Sequence, residues 1–177
     1  MAEFSWQLCD VLRLDHPVLM GHDMGGAVAL QMALDQPERI RALIIGASGE
    51  RVDVPEATLK QAQRVSEGKE RRPFDPANFA QGSAPEIMKK AFMWGLKTDP
   101  RATYGDLLAC QSWDVTDRLA GPTVPTPVLH GDEEHEAGQP RASALAEQHP
   151  NSETRKSPAA RHAPPLAAPR TPAEPLP

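Results

Sequence analysis

Six residues, Gly21-His22-Asp23-Met24-Gly25-Gly26, constrain this chain more than any others, because they join a short apolar run to a long apolar stretch through a glycine-rich turn. The run Pro17, Val18, Leu19, Met20 is bounded by proline and Gly21 and suits a buried strand. From Gly25 through Gln36 the chain is apolar nearly all round (Ala27, Val28, Leu30, Met32, Ala33, Leu34) and stops before Pro37, as a buried helix does. A second strand-like run, Ala42 to Ile45, follows, so that strand, helix and strand within about 30 residues predict a parallel βαβ unit. In that context the turn reads G-x-nucleophile-x-G with Asp23 at its centre. The central residue of such a turn is strained, and side chains two positions either side would clash with strand or helix, hence Gly21 and Gly25. Asp23 is thereby lifted to the top of the sheet, where the next helix aims the partial positive charge of its N-terminus at it.

Around this unit the chain divides into a first α/β segment (1–49), a helical insert (50–119), a resumed α/β segment (120–156) and a tail (157–177). Trp6, Leu8, Cys9, Val11, Leu12 and Leu14 recur at helical spacing and predict an opening helix packed on the sheet. The insert has three helix starts, each with proline near the first helical position: Pro55, Pro85 and Pro100. Ser83 and Glu86 have the spacing of a capping box ahead of Ile87, Met88, Ala91 and Phe92, and 68–76 reads as a solvated loop. Thr126 to His130 is a third strand candidate. Ser152 to Lys156 is polar throughout, where a sheet would want another apolar strand. Seven of the 21 residues from Ser157 to Pro177 are proline, which predicts an extended or disordered tail.

Here the sequence resembles the α/β-hydrolase superfamily. The resemblance rests on the elbow, on Pro37-Glu38-Arg39-Ile40 before the second strand, on Asp114-Val115-Thr116-Asp117-Arg118-Leu119 before the third, on His130-Gly131-Asp132-Glu133-Glu134, and on Arg161-His162-Ala163-Pro164. It implies an α/β fold, the C-terminal half of an α/β-hydrolase, with a mostly parallel sheet and a helical cap between its sixth and seventh strands. It also implies nucleophile, acid and histidine in chain order, met here by Asp23, Glu134 and His162, with the backbone N–H of Met24 in the oxyanion site. Candidate substrate-binding residues are His22 in the elbow and Phe92, Trp94, Tyr104 and Trp113 in the cap.

Aspartate at the elbow, where most relatives carry serine, is the choice of the epoxide hydrolase and haloalkane dehalogenase branches. A carboxylate is ionised at neutral pH and needs no base to attack carbon. Met24 stands where dehalogenases commonly place a halide-holding Trp, and Tyr104 is the one tyrosine where epoxide hydrolases usually offer two. The expectation is therefore hydrolysis of a small, mostly apolar ester or epoxide through a covalent intermediate, with no cofactor. Against the resemblance, the chain begins just before the family's fifth strand, so the first strand here is expected to be an open sheet edge, and the second oxyanion donor of the family has no counterpart. The alternative is a truncated, weakly active or inactive hydrolase that acts, if at all, through self-association at that edge or through a partner.

Charge and composition narrow the partners. A net charge of -5 with 24% charged residues gives no basic excess for nucleic acid or an anionic membrane surface. No apolar run reaches the roughly 18 residues of a membrane helix, and the first residues lack the order of a signal peptide, so a cytoplasmic protein is expected. Cys9 and Cys110 lie far apart and read as core thiols rather than a disulfide or metal pair.

Overall fold

A computed structural model of the chain describes residues 1–74, 79, 84–120, 124–131, 145, 147–149 and 151–157. Among the described residues four strands form one parallel sheet in the order β1-β2-β3-β4: β1 (Val18–His22), β2 (Ala42–Gly46), β3 (Thr126–Gly131) and β4 (Ser152–Ser157). The predicted βαβ unit is present. Its helix α2 (Met24–Asp35) ends one residue before the turn that Pro37 begins, since proline at that point has no N–H to continue the helical ladder. The register runs from Val18 opposite Ala42 to His22 opposite Gly46, so both strands end level with the glycine-rich turn.

Burial follows from this layering. Leu43 and Ile45 on β2, Val128 on β3 and Leu30 and Ala33 on α2 are fully enclosed and join one core cluster. The opening helix α1 (Ala2–Val11) contributes Trp6 and Cys9, three residues apart on one face, to the same cluster. Arg39, in the turn after α2, stacks its guanidinium 4.2 Å above the Trp6 ring and pairs with Asp10, which fixes α1 against the βαβ unit.

Between β2 and β3 lie α3 (Glu56–Ser66), α4 (Pro85–Lys97) and α5 (Pro100–Gln111), with α3 packed on α5. The prolines act as expected: Pro55 caps α3, and Pro85 and Pro100 are the first residues of α4 and α5. The capping box does not start α4. Its N-cap is Ala84, whose side chain has no acceptor, and the helix starts on the pre-set φ of Pro85 instead; Ser83 lies outside the described residues.

The polar stretch from Ser152 corrects a second expectation, because it is a strand. β4 pairs with β3 alone among the described residues, and a strand at a sheet edge does not need an apolar pattern on both faces. On this strand Glu153 is exposed and pairs with the half-buried Arg155. No described helix is long and apolar enough to cross a membrane.

Candidate active site

The turn between β1 and α2 is held in a conformation that L-residues rarely adopt. Asp23 has φ 53° and ψ -124°, a strained backbone that persists only where its surroundings enforce it. They do so from both sides. The Asp23 N–H donates to Gly46 O at 2.9 Å, and the Asp23 carbonyl accepts from the N–H of Gly26 at 2.9 Å and of Ala27 at 3.3 Å. One peptide is thus pinned to the end of β2 and the next to the first turn of α2. The Asp23 side chain is exposed above the C-terminal ends of the strands, and His22 and Met24 on either side are half-buried.

The glycines divide the steric work differently from the sequence expectation. A Cβ on Gly21 would lie 2.0 Å from Gly25 O and 2.6 Å from Gly26 N, a collision with backbone. One on Gly26 would lie 2.6 Å from Ser48 Cβ. One on Gly25 would meet no described atom within 4 Å. The close approaches are therefore at Gly21 and Gly26, because α2 leaves the strand with Gly26 turned toward the end of β2 and Gly25 turned away from every described neighbour.

Beyond β2 the backbone bends at Ala47, with φ 46°, into a segment whose polar side chains sequence reasoning passed over. Ser48 and Glu50 are both more than nine-tenths buried, and Ser48 Oγ and Glu50 Oε2 have no hydrogen-bond partner among the described residues. Ser48 touches the elbow through Gly26, and Glu50 O accepts from Val115 N at 2.9 Å, which ties this segment to the chain leading into β3. The only signal available in sequence was the pair of small polar and acidic residues directly after an apolar strand.

A cavity of about 180 Å³ lies against Met24 and is walled by Ala27, Val28 and Gln31 of α2, by Ala109, Cys110 and Trp113 at and beyond the end of α5, and by Met1 and Ala2. Trp113 donates its indole N–H to Gln31 Oε1 at 3.0 Å, which fixes the indole as a wall. Burial pushes the Cys110 thiol up, and the carboxylates of Asp23 and Asp106 push it the same way, so Cys110 is held as a neutral thiol within the field of the elbow. Of the cap candidates, Trp113 alone is among these walls. Phe92 packs edge-on to Phe74 with ring centres 5.6 Å apart, and Trp94 is half-exposed beneath the Lys90 ammonium. Tyr104 is half-buried on α5. Glu134 and His162 lie outside the described residues. Among the described residues no group of three His, Cys, Asp or Glu side chains is placed to hold a metal ion.

Comparison with known proteins decides the family. The α/β hydrolase fold family matches residues 1–92, more than half of the chain. The chain belongs to the α/β-hydrolase fold family. Its fold superposes on an esterase from Exiguobacterium antarcticum with a TM-score of 0.81 at 21% identity, over 94% of this chain and 67% of that one. It superposes on a thermophilic esterase from Thermogutta terrifontis, solved with malate bound, with a TM-score of 0.79 at 29% identity, over 92% of this chain and 64% of that one. A curated relative, the magnesium-chelatase 30 kDa subunit of Rhodobacter capsulatus, is 51% identical over 37 residues, which are 21% of this chain and 13% of that protein. This hydrolase-fold chain thus spans about two thirds of the length of the esterase structures and a much smaller share of the curated relative. Within this fold the strained turn joins β1 to α2, with β2 as the neighbouring strand.

Proposed function

We propose that the chain hydrolyses a small, mostly apolar ester or epoxide through a covalent intermediate on Asp23. The observation that carries this reading is the backbone of Asp23 itself: a φ of 53° at the head of α2, enforced by hydrogen bonds on both sides and by glycines that admit no side chain. Strain of this kind is retained where it places a reacting group. The esterase at 29% identity supports an ester substrate, and the apolar cavity beside Met24 supports an uncharged group of modest size.

With an epoxide, a carboxylate oxygen of Asp23 attacks a ring carbon, the carbon–oxygen bond of the ring breaks, and the released oxygen takes a proton, for which Tyr104 is the candidate donor. The product is an ester on Asp23. Water, giving its proton to His162, then adds to the carbonyl carbon of that ester while the Met24 N–H donates to the developing oxyanion. Collapse breaks the bond between the ester carbonyl carbon and the alkoxide oxygen, which takes the proton of the newly added hydroxyl, so that the diol leaves and the Asp23 carboxylate is restored. The proton held by His162 is returned through solvent to Tyr104. Glu134 orients His162 in this scheme, and Trp113 with His22, Phe92 and Trp94 holds the substrate. With an ester the same attack at the acyl carbon breaks the acyl carbon–alkoxy oxygen bond, the leaving alkoxide takes a proton from Tyr104 and departs as the alcohol, and the anhydride left on Asp23 is cleaved by water that gives its proton to His162.

The test is intact-mass spectrometry of the native chain and of His162→Gln after exposure to small epoxides, haloalkanes and activated esters. Attack needs the carboxylate and breakdown needs the histidine, so His162→Gln should accumulate a substrate-sized adduct that maps to Asp23. No adduct in a folded sample would overturn the reading in favour of a catalytically silent hydrolase fold.

A further inference from the structure

The cavity beside Met24 follows α2. Its walls Met24, Ala27, Val28 and Gln31 stand at i, i+3, i+4 and i+7, one stripe of the helix, so it starts next to the turn that carries Asp23 and runs along seven residues of helical rise, about 10 Å. Small side chains keep it open. Ala27 on α2 and Ala109 and Cys110 near the end of α5 leave space that longer residues would fill, and the neutral thiol brings no charge into it. Trp113 closes it. Its indole bonds to Gln31, the member of the stripe farthest along α2 from Asp23, and is therefore the end wall.

Packing alone does not place this indole. Gln31 accepts from the Trp113 N–H through Oε1 at 3.0 Å and donates through Nε2 to Asp35 Oδ1 at 2.8 Å, and the same carboxylate oxygen accepts from Arg118 at 3.0 Å. An indole N–H can only donate and a carboxylate paired with arginine accepts, so the two partners dictate which way the Gln31 amide points. Arg118 also donates to Leu34 O at 3.3 Å. Trp113 and Arg118 both lie on the link from α5 to β3, so that link is clamped to α2 at two points, and Gln31 and Asp35, one helical turn apart, join the clamps. Both ends of the one amide in the wall are thereby engaged with protein, and the cavity is left apolar. Asp35 and Arg118 are exposed, so their ion pair is worth little in itself; its part is to hold Gln31 in place.

We propose, on the reading that Asp23 is the reacting group, that the α2 stripe receives an apolar arm of the substrate and that Gln31, by positioning the Trp113 indole, sets how long an arm the chain accepts. The arm is attached to the carbon that Asp23 attacks, enters past Met24 and ends against the indole. Its size class follows from the space. At about 180 Å³ the cavity is somewhat larger than the roughly 150 Å³ that holds a benzene molecule, so a phenyl or short alkyl group fits. A charged arm would find no partner on these walls. A fixed end wall discriminates sharply, because one methylene too many in an apolar pocket is worth on the order of tenfold or more in kcat/KM. An indole freed from Gln31 would give way and admit longer arms, so Gln31 is a positioning residue that acts through Trp113.

The test is kcat/KM of the full chain on p-nitrophenyl alkanoates and 1,2-epoxyalkanes of increasing chain length. The native profile should rise and then drop where the arm reaches Trp113. Trp113→Ala should move the drop to longer substrates, with a gain of at least about tenfold for the first one the parent rejects, and Gln31→Leu should move it the same way by about threefold. The double substitution Gln31→Glu with Asp35→Asn exchanges donor and acceptor while keeping both bonds, and should bring the native drop back. A merely structural role would lower every substrate together and leave the profile in place. Benzyl alcohol, which does not react, supplies a readout apart from turnover: it should shift the Trp113 indole N–H resonance, identified by its loss in Trp113→Phe, and bind more weakly to Gln31→Leu. An adduct on Asp23 with a length profile that these variants do not move would overturn the pocket and leave the Asp23 reading standing. No adduct, with benzyl alcohol still shifting the indole, would overturn the Asp23 reading and leave the pocket. Neither adduct nor shift in a folded sample would overturn both.

Discussion

The elbow unit and the helices inserted between β2 and β3 are built on opposite terms. In the twelve residues of α2, six are buried; α3 and α4 have none, and α5 has Cys110 alone. The elbow is held by close backbone approaches and a shared core, so each part depends on its neighbours being a particular size. The inserted helices are held mainly by their own ladders, proline starts, surface ion pairs such as Lys60 with Glu56, and half-buried contacts. A region of the first kind can keep Asp23 in a strained geometry. One of the second kind can change residues or shift without disturbing it.

The sharpest break of this contrast lies within the elbow. Gly21→Ala puts a methyl into the Gly25 backbone and should either prevent folding or cost more than about 4 kcal/mol. Gly25→Ala, four residues on, meets no described atom and gains helix propensity, so stability from denaturant unfolding should be equal to the parent's or higher by about 0.5 kcal/mol. Equal damage from the two would mean that the strain is not enforced by close packing at Gly21.

Next in size is a pair that compares the two regions through their cores. Leu30→Ala removes a fully buried side chain between α2 and the sheet and should cost about 2–5 kcal/mol in urea unfolding. Met93→Ala, on half-exposed surface of α4, should cost under about 1 kcal/mol. Comparable losses would show that the inserted helices share the sheet's core.

The same contrast explains what could be read from the chain before its structure. The elbow, β1, α2, β2 and β3 were legible because a parallel unit buried on both faces writes continuous apolar runs, and because glycine beside a strained turn has few other uses. The starts of α3, α4 and α5 were legible because proline fixes φ locally. Three features were not. β4 was hidden because an edge strand takes its place from backbone pairing with β3, which polar residues allow. Gly25 was read as a steric necessity because spacing alone cannot say toward which neighbour a Cα points. Ser48 and Glu50 escaped notice because burial of polar side chains depends on how the chain folds back after β2, a matter of tertiary path rather than local pattern. In the candidate site, Asp23, Met24 and Trp113 were visible in sequence. Cys110 was read as core thiol, and its closeness to the elbow depends on where α5 ends.

Acid should separate the two regions with the smallest but most selective effect. His149, in the segment leading into β4, is buried, and burial depresses its pKa below 6.5. The unfolded chain therefore binds more protons than the folded one in this window, so stability is fully present above about pH 6.5 and falls as the pH drops toward the lower folded-state value. On the helical side, Asp99 caps α5 by accepting from Arg101 N at 2.9 Å, and its pKa is lowered from 3.8 to about 2, chiefly by hydrogen bonds from the Arg101 side chain and backbone. Its contribution is present above about pH 4 and is lost between there and about pH 2, and it stays small because the pair is open to solvent. Hydrogen exchange at stepped pH should show the β3–β4 amides losing protection first, below pH 6.5, while α5 holds until far stronger acid. His149→Phe should flatten the first step, and Asp99→Ala should weaken α5 at neutral pH and leave the first step in place. If β4 and α5 loosen together, the two regions unfold as one unit and the contrast in packing does not extend to their stability.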